Sequence, residues 1–399
     1  VAVLGLLLAT GCQGPGFKKA DGPIRAIWVT RGDYKSAQDV QRIMQNCADA
    51  GLNTVLFQVR GNGTVYYPSR IEPWSEKYNF QSPGFDPLGV AVQEAHARGL
   101  KIQAWVNVMP GWTGPDEPRV RQQLYNAHPD WFWYDAEGRR QPLLHEANGR
   151  KRGWYASLNP CLPEVRSYLV GLFQEIASNY DIDGLHMDYI RFPNEPVVAG
   201  ERIPDYPRDA RTLALFKEAT GQTPQSNPAV WSQWRADQVT QLVVDIHKML
   251  RSTRPGAVLS SACGSVRRSA LSHYQDAERW MALGAIDQVY LMNYTRDPAE
   301  FNRRIQPWLP SRKQTRIVPG LSIGDDASQS VAIAQQEIQI ARETTGDFCI
   351  FAYSSVFGRS AARGAALVPY LRSLAGETTI AEAASEPASP RKNILLTRR

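Results

Sequence analysis

One short segment carries the clearest chemistry. It reads Asp181-Ile182-Asp183-Gly184-Leu185-His186-Met187-Asp188-Tyr189-Ile190-Arg191-Phe192-Pro193. Read as a strand, its period of two puts Leu185 and Met187 on one face and His186 and Asp188 on the other. Asp188 then stands at the strand's C-terminal end, where a carboxylate can serve as nucleophile or stabilise an oxocarbenium-like centre. Arg191 lies close enough to hold that carboxylate ionised. Asp183 precedes the strand, at its opposite end, and reads as a turn residue. Glycosidic cleavage also needs a second carboxyl group as general acid. Asp276, Glu195 and Asp297 are the candidates, with helix capping the competing role for Asp276.

Such residues must be positioned by elements, and the chain supplies a repeating strand-then-helix rhythm. Strands are predicted at 25–30, 54–60, 101–107, 184–189, 257–262, 288–294, 316–322 and 348–353. Helices fall between them, the first capped by Ser36 and closed by Gly51, the next opened by Asp86-Pro87 and closed by Gly99. Eight strands with intervening helices is the count of an α/β fold of the TIM-barrel type, (β/α)₈. No G-x-G-x-x-G follows the first strand, which disfavours an open dinucleotide-binding sheet. In such a barrel the strand C-terminal ends build the site. Gln58 and Arg60 on strand two, Trp105 and Asn107 on strand three, His186 and Arg191 around strand four, Asn293 and Tyr294 on strand six and Tyr353 on strand eight are therefore the expected substrate-binding cast. Arg60 is a further partner for Asp188, and Asn107 a donor to a sugar substituent.

Two long connections, 109–160 after strand three and 191–229 after strand four, leave from that same face. The first holds Trp112, Trp131, Phe132, Trp133, Tyr134 and Trp154. Those rings suit a cleft wall that stacks on sugars, and equally a satellite core beneath the loop.

With 399 residues, 43% of them hydrophobic, the chain can bury a substantial core and is too apolar for general disorder. A net charge of +6 with scattered basic residues gives no nucleic-acid stripe. Six His and five Cys include no C-x-x-C or H-x-x-x-H pair, so no metal site is expected, and no motif calls for a cofactor. A serine nucleophile lacks its G-x-S-x-G elbow. Residues 1–9, VAVLGLLLA, followed by Thr10-Gly11-Cys12, read as the apolar part of an export signal ending in a lipobox, with Cys12 the lipidated residue. This gives an expected division into a signal and tether (1–23), one barrel domain (24–375) and a disordered tail (376–399). The remaining four cysteines sit in apolar runs and read as buried thiols.

The segments RAIWVTR, FQVRGNGTVYYPSRIEPWS, FDPLGVAVQEAHARGLKIQAWVNV, HPDW, LNPCLPEVRSYLV, DIDGLHMDYIRFP and YQDAERWMALGAIDQVYLMNY occur in that order from about Arg25 to Phe357. Together they resemble the glycosyl-hydrolase-like family 10 lipoproteins of bacterial envelopes. The resemblance implies a glycosidase-like TIM barrel with a catalytic aspartate at the end of strand four, here Asp188. It also implies an exported protein of the cell envelope, membrane-attached through its lipid, with a polysaccharide partner, above all peptidoglycan glycan strands freed of their peptides. Asp276, within YQDAERW, matches the family pattern and becomes the first choice for the acid, Glu195 the second and Asp297 the third. Strand three departs from the pattern: Val108-Met109-Pro110 replaces the more usual Asn-Pro after W-x-N, although Asn107 is kept. A non-catalytic glycan-binding barrel is the rival reading.

Overall fold

The computed structural model describes residues 22–143, 145–147, 150–152, 155–192, 205–313, 315–323, 331–358 and 366–376. The expected lipidation site Cys12, the C-terminal tail from residue 377, Glu195 and Trp154 lie outside them.

Eight parallel strands close into a barrel: β1 (Arg25–Val29), β2 (Thr54–Arg60), β3 (Lys101–Asn107), β4 (Gly184–Asp188), β5 (Val258–Gly264), β6 (Gln288–Met292), β7 (Arg316–Ser322) and β8 (Phe348–Phe351). Each pairs with its sequence neighbours, and β8 pairs back onto β1. The strands are rich in β-branched and aromatic residues, and closure leaves none of them with an open edge. The principal barrel helices are α1 (Ala37–Asp49), α2 (Pro87–His96), α3 (Pro163–Asn179), α4 (Pro228–Thr253), α5 (Ala277–Ala282), α6 (Pro298–Ile305) and α7 (Val331–Thr344). Ser36 and Asp39 form a reciprocal capping box on α1, and Gly51 follows that helix with φ +74°, a left-handed turn that glycine adopts without steric cost.

Two cores result from the period of two. Outward strand residues such as Ile27, Val55, Val106, Met187 and Val289 pack under the helices, while Trp28, Leu56, Trp105, Tyr290, Val318 and Cys349 fill the barrel interior. Trp28 reaches across the interior only because β7 has Gly320: a Cβ there would lie 2.7 Å from the Trp28 ring and 2.6 Å from the Leu291 carbonyl oxygen. Asp183, at the base of the barrel, accepts from the Ile102 N–H and pairs with His96 and Lys101, as its turn position implied.

The described parts of both long connections make defined contacts. In the first, Pro110–Trp112 pairs antiparallel with Ala156–Ser157. Trp112, Phe132 and Trp133 are buried there, and the Trp133 indole donates to the Leu158 carbonyl. These three rings join the main hydrophobic core beneath the connection and are not a sugar-stacking wall. In the second, Arg235 of α4 bonds Asp205 and the Tyr206 carbonyl, and lies over the Trp231 and Tyr274 rings. Cys47, Cys161, Cys263 and Cys349 are buried free thiols.

Candidate active site

Asp188 ends β4 on its inner face, 7% exposed. Its Oδ1 accepts from the Tyr189 N–H (2.6 Å) and from Arg191 Nη1 (3.2 Å). Both contacts fix the orientation of the carboxylate. Oδ2 has no protein donor among the described residues, leaving one oxygen open to a substrate. The chain turns sharply behind it: Tyr189 has φ +49°, a conformation costly for a bulky residue. That turn stacks the Arg191 guanidinium 4.5 Å above the Tyr189 ring, which meets Tyr155 edge-on at 5.1 Å.

The register of β3 against β4 sets Asn107 beside Asp188. Gln58 Nε2 donates to Asn107 Oδ1 (3.1 Å), and Gln58 Oε1 accepts from the Arg31 N–H (3.0 Å). The Asn107 amide nitrogen has no protein acceptor among the described residues and remains a donor for ligand. One level down, Trp105 is 4% exposed, and its indole N–H has no protein partner among the described residues. An unpaired donor buried in the barrel interior is costly unless something else accepts its hydrogen bond. Tyr294 stands on the rim, 40% exposed, its ring 5.4 Å from Phe351. Removal of its hydroxyl end from water, followed by the Asp188 charge, pushes this phenol well above its ordinary value. Gln58, Trp105, Asn107, Asp188, Arg191 and Tyr294 thus gather at one mouth of the barrel.

The other expected residues do not gather there. Arg60 is fully buried and paired with Glu72, donating from Nε (3.0 and 2.8 Å) and Nη2 (2.6 Å), while Nη1 serves the carbonyls of Asn107, Val108 and Pro110. The cause is a β-bulge: Gln58 pairs with Trp105, yet Arg60 pairs with Val106, so the alternation breaks at Val59 and Arg60 turns outward. Arg60 therefore braces the end of β3 and neither pairs with Asp188 nor grips substrate. His186 is also fully buried. Its Nε2 accepts from Trp28 Nε1 (3.0 Å), so Nδ1 carries the proton and donates to Ser260 Oγ (2.7 Å), which donates to Gln103 Oε1 (2.6 Å). It is the middle of an internal hydrogen-bond chain and presents nothing to a ligand. Asn293 donates to the Phe301 carbonyl (2.9 Å) and so fastens α6. Tyr353 begins a helix, Tyr353–Phe357, because β8 stops at Phe351. Its hydroxyl accepts from Asn46 of α1 (2.7 Å), outside the barrel. Asp276 caps α5, accepting from the Arg279 N–H (3.1 Å), and Asp297 likewise caps α6 through the Ala299 N–H (2.9 Å). Each is thus engaged through one oxygen at a helix end.

Sequence reasoning missed Arg31, which follows β1 inside the quoted RAIWVTR. Its guanidinium lies where a Cβ on Gly61 would come within 2.5 Å of it. Burial is the largest influence and acts against its charge, but Tyr155 together with Tyr66 and Glu76 leaves its pKa raised. The signal was present in the Arg and the R-G pair, but only the fold brings Arg31 across to Tyr155. Among the described residues no group of three or more His, Cys, Asp or Glu could hold a metal ion.

Comparison with known proteins follows the same lines. The family model described as Glycosyl hydrolase-like 10 matches residues 23–337. Glycosyl hydrolase DigH of Escherichia coli (strain K12) is 27% identical, the match covering 75% of this chain and 72% of that protein. Glycosyl hydrolase YngK of Bacillus subtilis (strain 168) is 25% identical, covering 68% of this chain and 54% of that protein. Among solved structures, the PgaB (BpsB) glycoside hydrolase domain from Bordetella bronchiseptica superposes with a TM-score of 0.64 at 13% identity, over 89% of this chain and 99% of that one. The β-amylase catalytic domain of Paenibacillus polymyxa gives 0.60 at 11% identity, over the same shares. Both share the fold.

Proposed function

The chain belongs to the glycosyl hydrolase-like 10 family, and from that premise we propose that it hydrolyses glycosidic bonds in a bacterial envelope polysaccharide, namely peptidoglycan glycan strands freed of their peptides. The observation that carries the reading is the Asp188 carboxylate, held through one oxygen by Tyr189 N–H and Arg191 and open through the other. In that role Asp188 faces the anomeric carbon and stabilises, or captures, the positive charge that develops as the bond to the leaving oxygen breaks. Asn107 and the Trp105 indole N–H donate to sugar oxygens beside it, and Tyr294 closes the rim. With Asp276 and Asp297 committed to helix ends, the general acid is assigned to Glu195, in the segment that follows Asp188 along the chain. That residue lies outside the described ones, and its assignment rests on this elimination and on its place in the sequence. The VAVLGLLLATGC segment supports an exported protein attached to an envelope membrane through lipid on Cys12.

A second reading has one observation in its favour: the two described acids expected as proton donor, Asp276 and Asp297, each cap a helix. A barrel so equipped binds glycan without cutting it. Incubation of the purified protein with peptide-free strands, with the products identified by mass spectrometry, separates the two. New reducing ends support hydrolysis, and the anomer first released tells retention from inversion. Strands that stay intact while binding support the second reading.

A further inference from the structure

Beyond the Asp188 mouth, the rim of β1 and β2 carries two neighbouring cations, Arg31 and Lys77, with Glu76 and Asp33 as the nearest opposite charges. Arg31 lies two residues past the end of β1. Lys77 lies in the short helix Glu76–Tyr78 of the β2–α2 connection and reaches back over the residue after Arg31, its Nζ 3.8 Å from where a Cβ on Gly32 would sit. Among the described residues neither has a carboxylate within 4 Å. The nearby acids are held by other groups and make no direct ion pair with either cation: Asp33 Oδ2 accepts from the Thr30 N–H (2.7 Å) and hydroxyl (2.8 Å), and Glu76 Oε2 from Thr64 (3.1 Å) and Ser75 (3.2 Å). Apart from the Tyr155 hydroxyl, the Arg31 guanidinium has no side-chain hydrogen-bond partner among the described residues. Partial burial, then the proximity of Arg31, depress the Lys77 ammonium below its ordinary pKa, as expected of like charges held together. A planar guanidinium with open N–H groups and an adjacent ammonium match the geometry and charge of a carboxylate.

The pair is connected to the reaction centre. The Arg31 N–H is bonded to Gln58, Gln58 to Asn107, and Asn107 is the strand neighbour of Asp188. We propose that Arg31 and Lys77 form a subsite for a carboxylate carried by the glycan, one sugar or so along the cleft from the bond at Asp188. The proposal rests on the glycan-strand reading above and sharpens it. In peptidoglycan the sugar carboxylate is the atom group that a stem peptide blocks through an amide, so a carboxylate subsite is a physical means of selecting strands from which peptides have been removed. A free acid gains two charge-assisted contacts, whereas an amide offers the two cations only a neutral group.

The test compares peptide-free strands with the same strands after carbodiimide conversion of their carboxylates to primary amides. Binding to the full-length protein is measured by calorimetry at low salt, with cleavage followed in parallel. Amidation is expected to weaken binding roughly tenfold, the scale of one charged hydrogen bond. Lys77→Gln, at an exposed position, is expected to remove most of that discrimination. Equal affinity for both strands, or full discrimination retained by Lys77→Gln, overturns the subsite while leaving glycan hydrolysis standing. Binding and cleavage of neither strand overturns the glycan reading and the subsite with it.

Discussion

Asp188 and Asn107 present open hydrogen-bonding atoms at one mouth of the barrel and the Trp105 indole N–H is buried without a partner among the described residues, whereas Arg60 and His186 have every contact taken inside the protein. That contrast sets what each side chain does when changed. Removing one member of the fully buried Arg60–Glu72 pair strands a charge, so Arg60→Ala is expected to lose about 3–5 kcal/mol in chemical denaturation. A variant with native stability and a raised KM would return Arg60 to substrate contact. His186 gives a pH signature. Burial pushes its pKa from 6.5 down to about 3. Between those values the unfolded chain holds a proton that the folded chain does not. The contribution is therefore fully present above pH 6.5 and is lost as pH falls towards 3. Urea unfolding at pH 4.5 against pH 7.5 should show a loss of about 2–3 kcal/mol from this group, absent in His186→Gln. An equal loss in both proteins would remove His186 as the cause. The carboxylate at the end of strand four was legible from spacing alone, because a strand's period fixes which face Asp188 occupies. Arg60 was misread for the same reason, since one extra residue at Val59 reverses the face and leaves no mark in the composition.

At the scale of elements, the strand-helix rhythm was readable because each strand is a short apolar run and several helices carry caps at their ends. The ranges of β2, β3 and β7 coincide with their expected bounds. The strand C-terminal ends were less legible: β6 and β8 each stop two residues early, which moved Asn293 and Tyr353 out of the expected cast. Strand termination depends on what the following loop packs against, and that is a long-range property. The aromatic connection after β3 shows the same limit, because ring content cannot distinguish an open wall from a buried core. Gly320 is an element-scale device whose role appears only in three dimensions. Gly320→Ala is expected to cost about 1–3 kcal/mol by overpacking against Trp28 and the Leu291 carbonyl. A thermal melt unchanged from wild type would show that the barrel interior yields more readily than its contacts imply.

At the scale of the whole molecule, a closed barrel gives one rigid mouth to which β1 through β4 and β6 deliver groups on a common level. The family and the fold place the chain among glycosidase-type proteins, and the order of quoted segments made that membership visible from sequence. The second acid remained illegible because acids that cap helices and acids that protonate leaving groups look alike in a sequence. The central claim, that Asp188 is the reacting carboxylate, is tested most directly by measuring turnover and strand affinity of Asp188→Asn beside wild type on peptide-free glycan strands. The account expects turnover to fall by at least about a thousandfold, a loss of roughly 4 kcal/mol of transition-state stabilisation, with binding within a few fold of wild type. Turnover that survives the substitution, or a wild-type protein that binds strands and never cuts them, would contradict it.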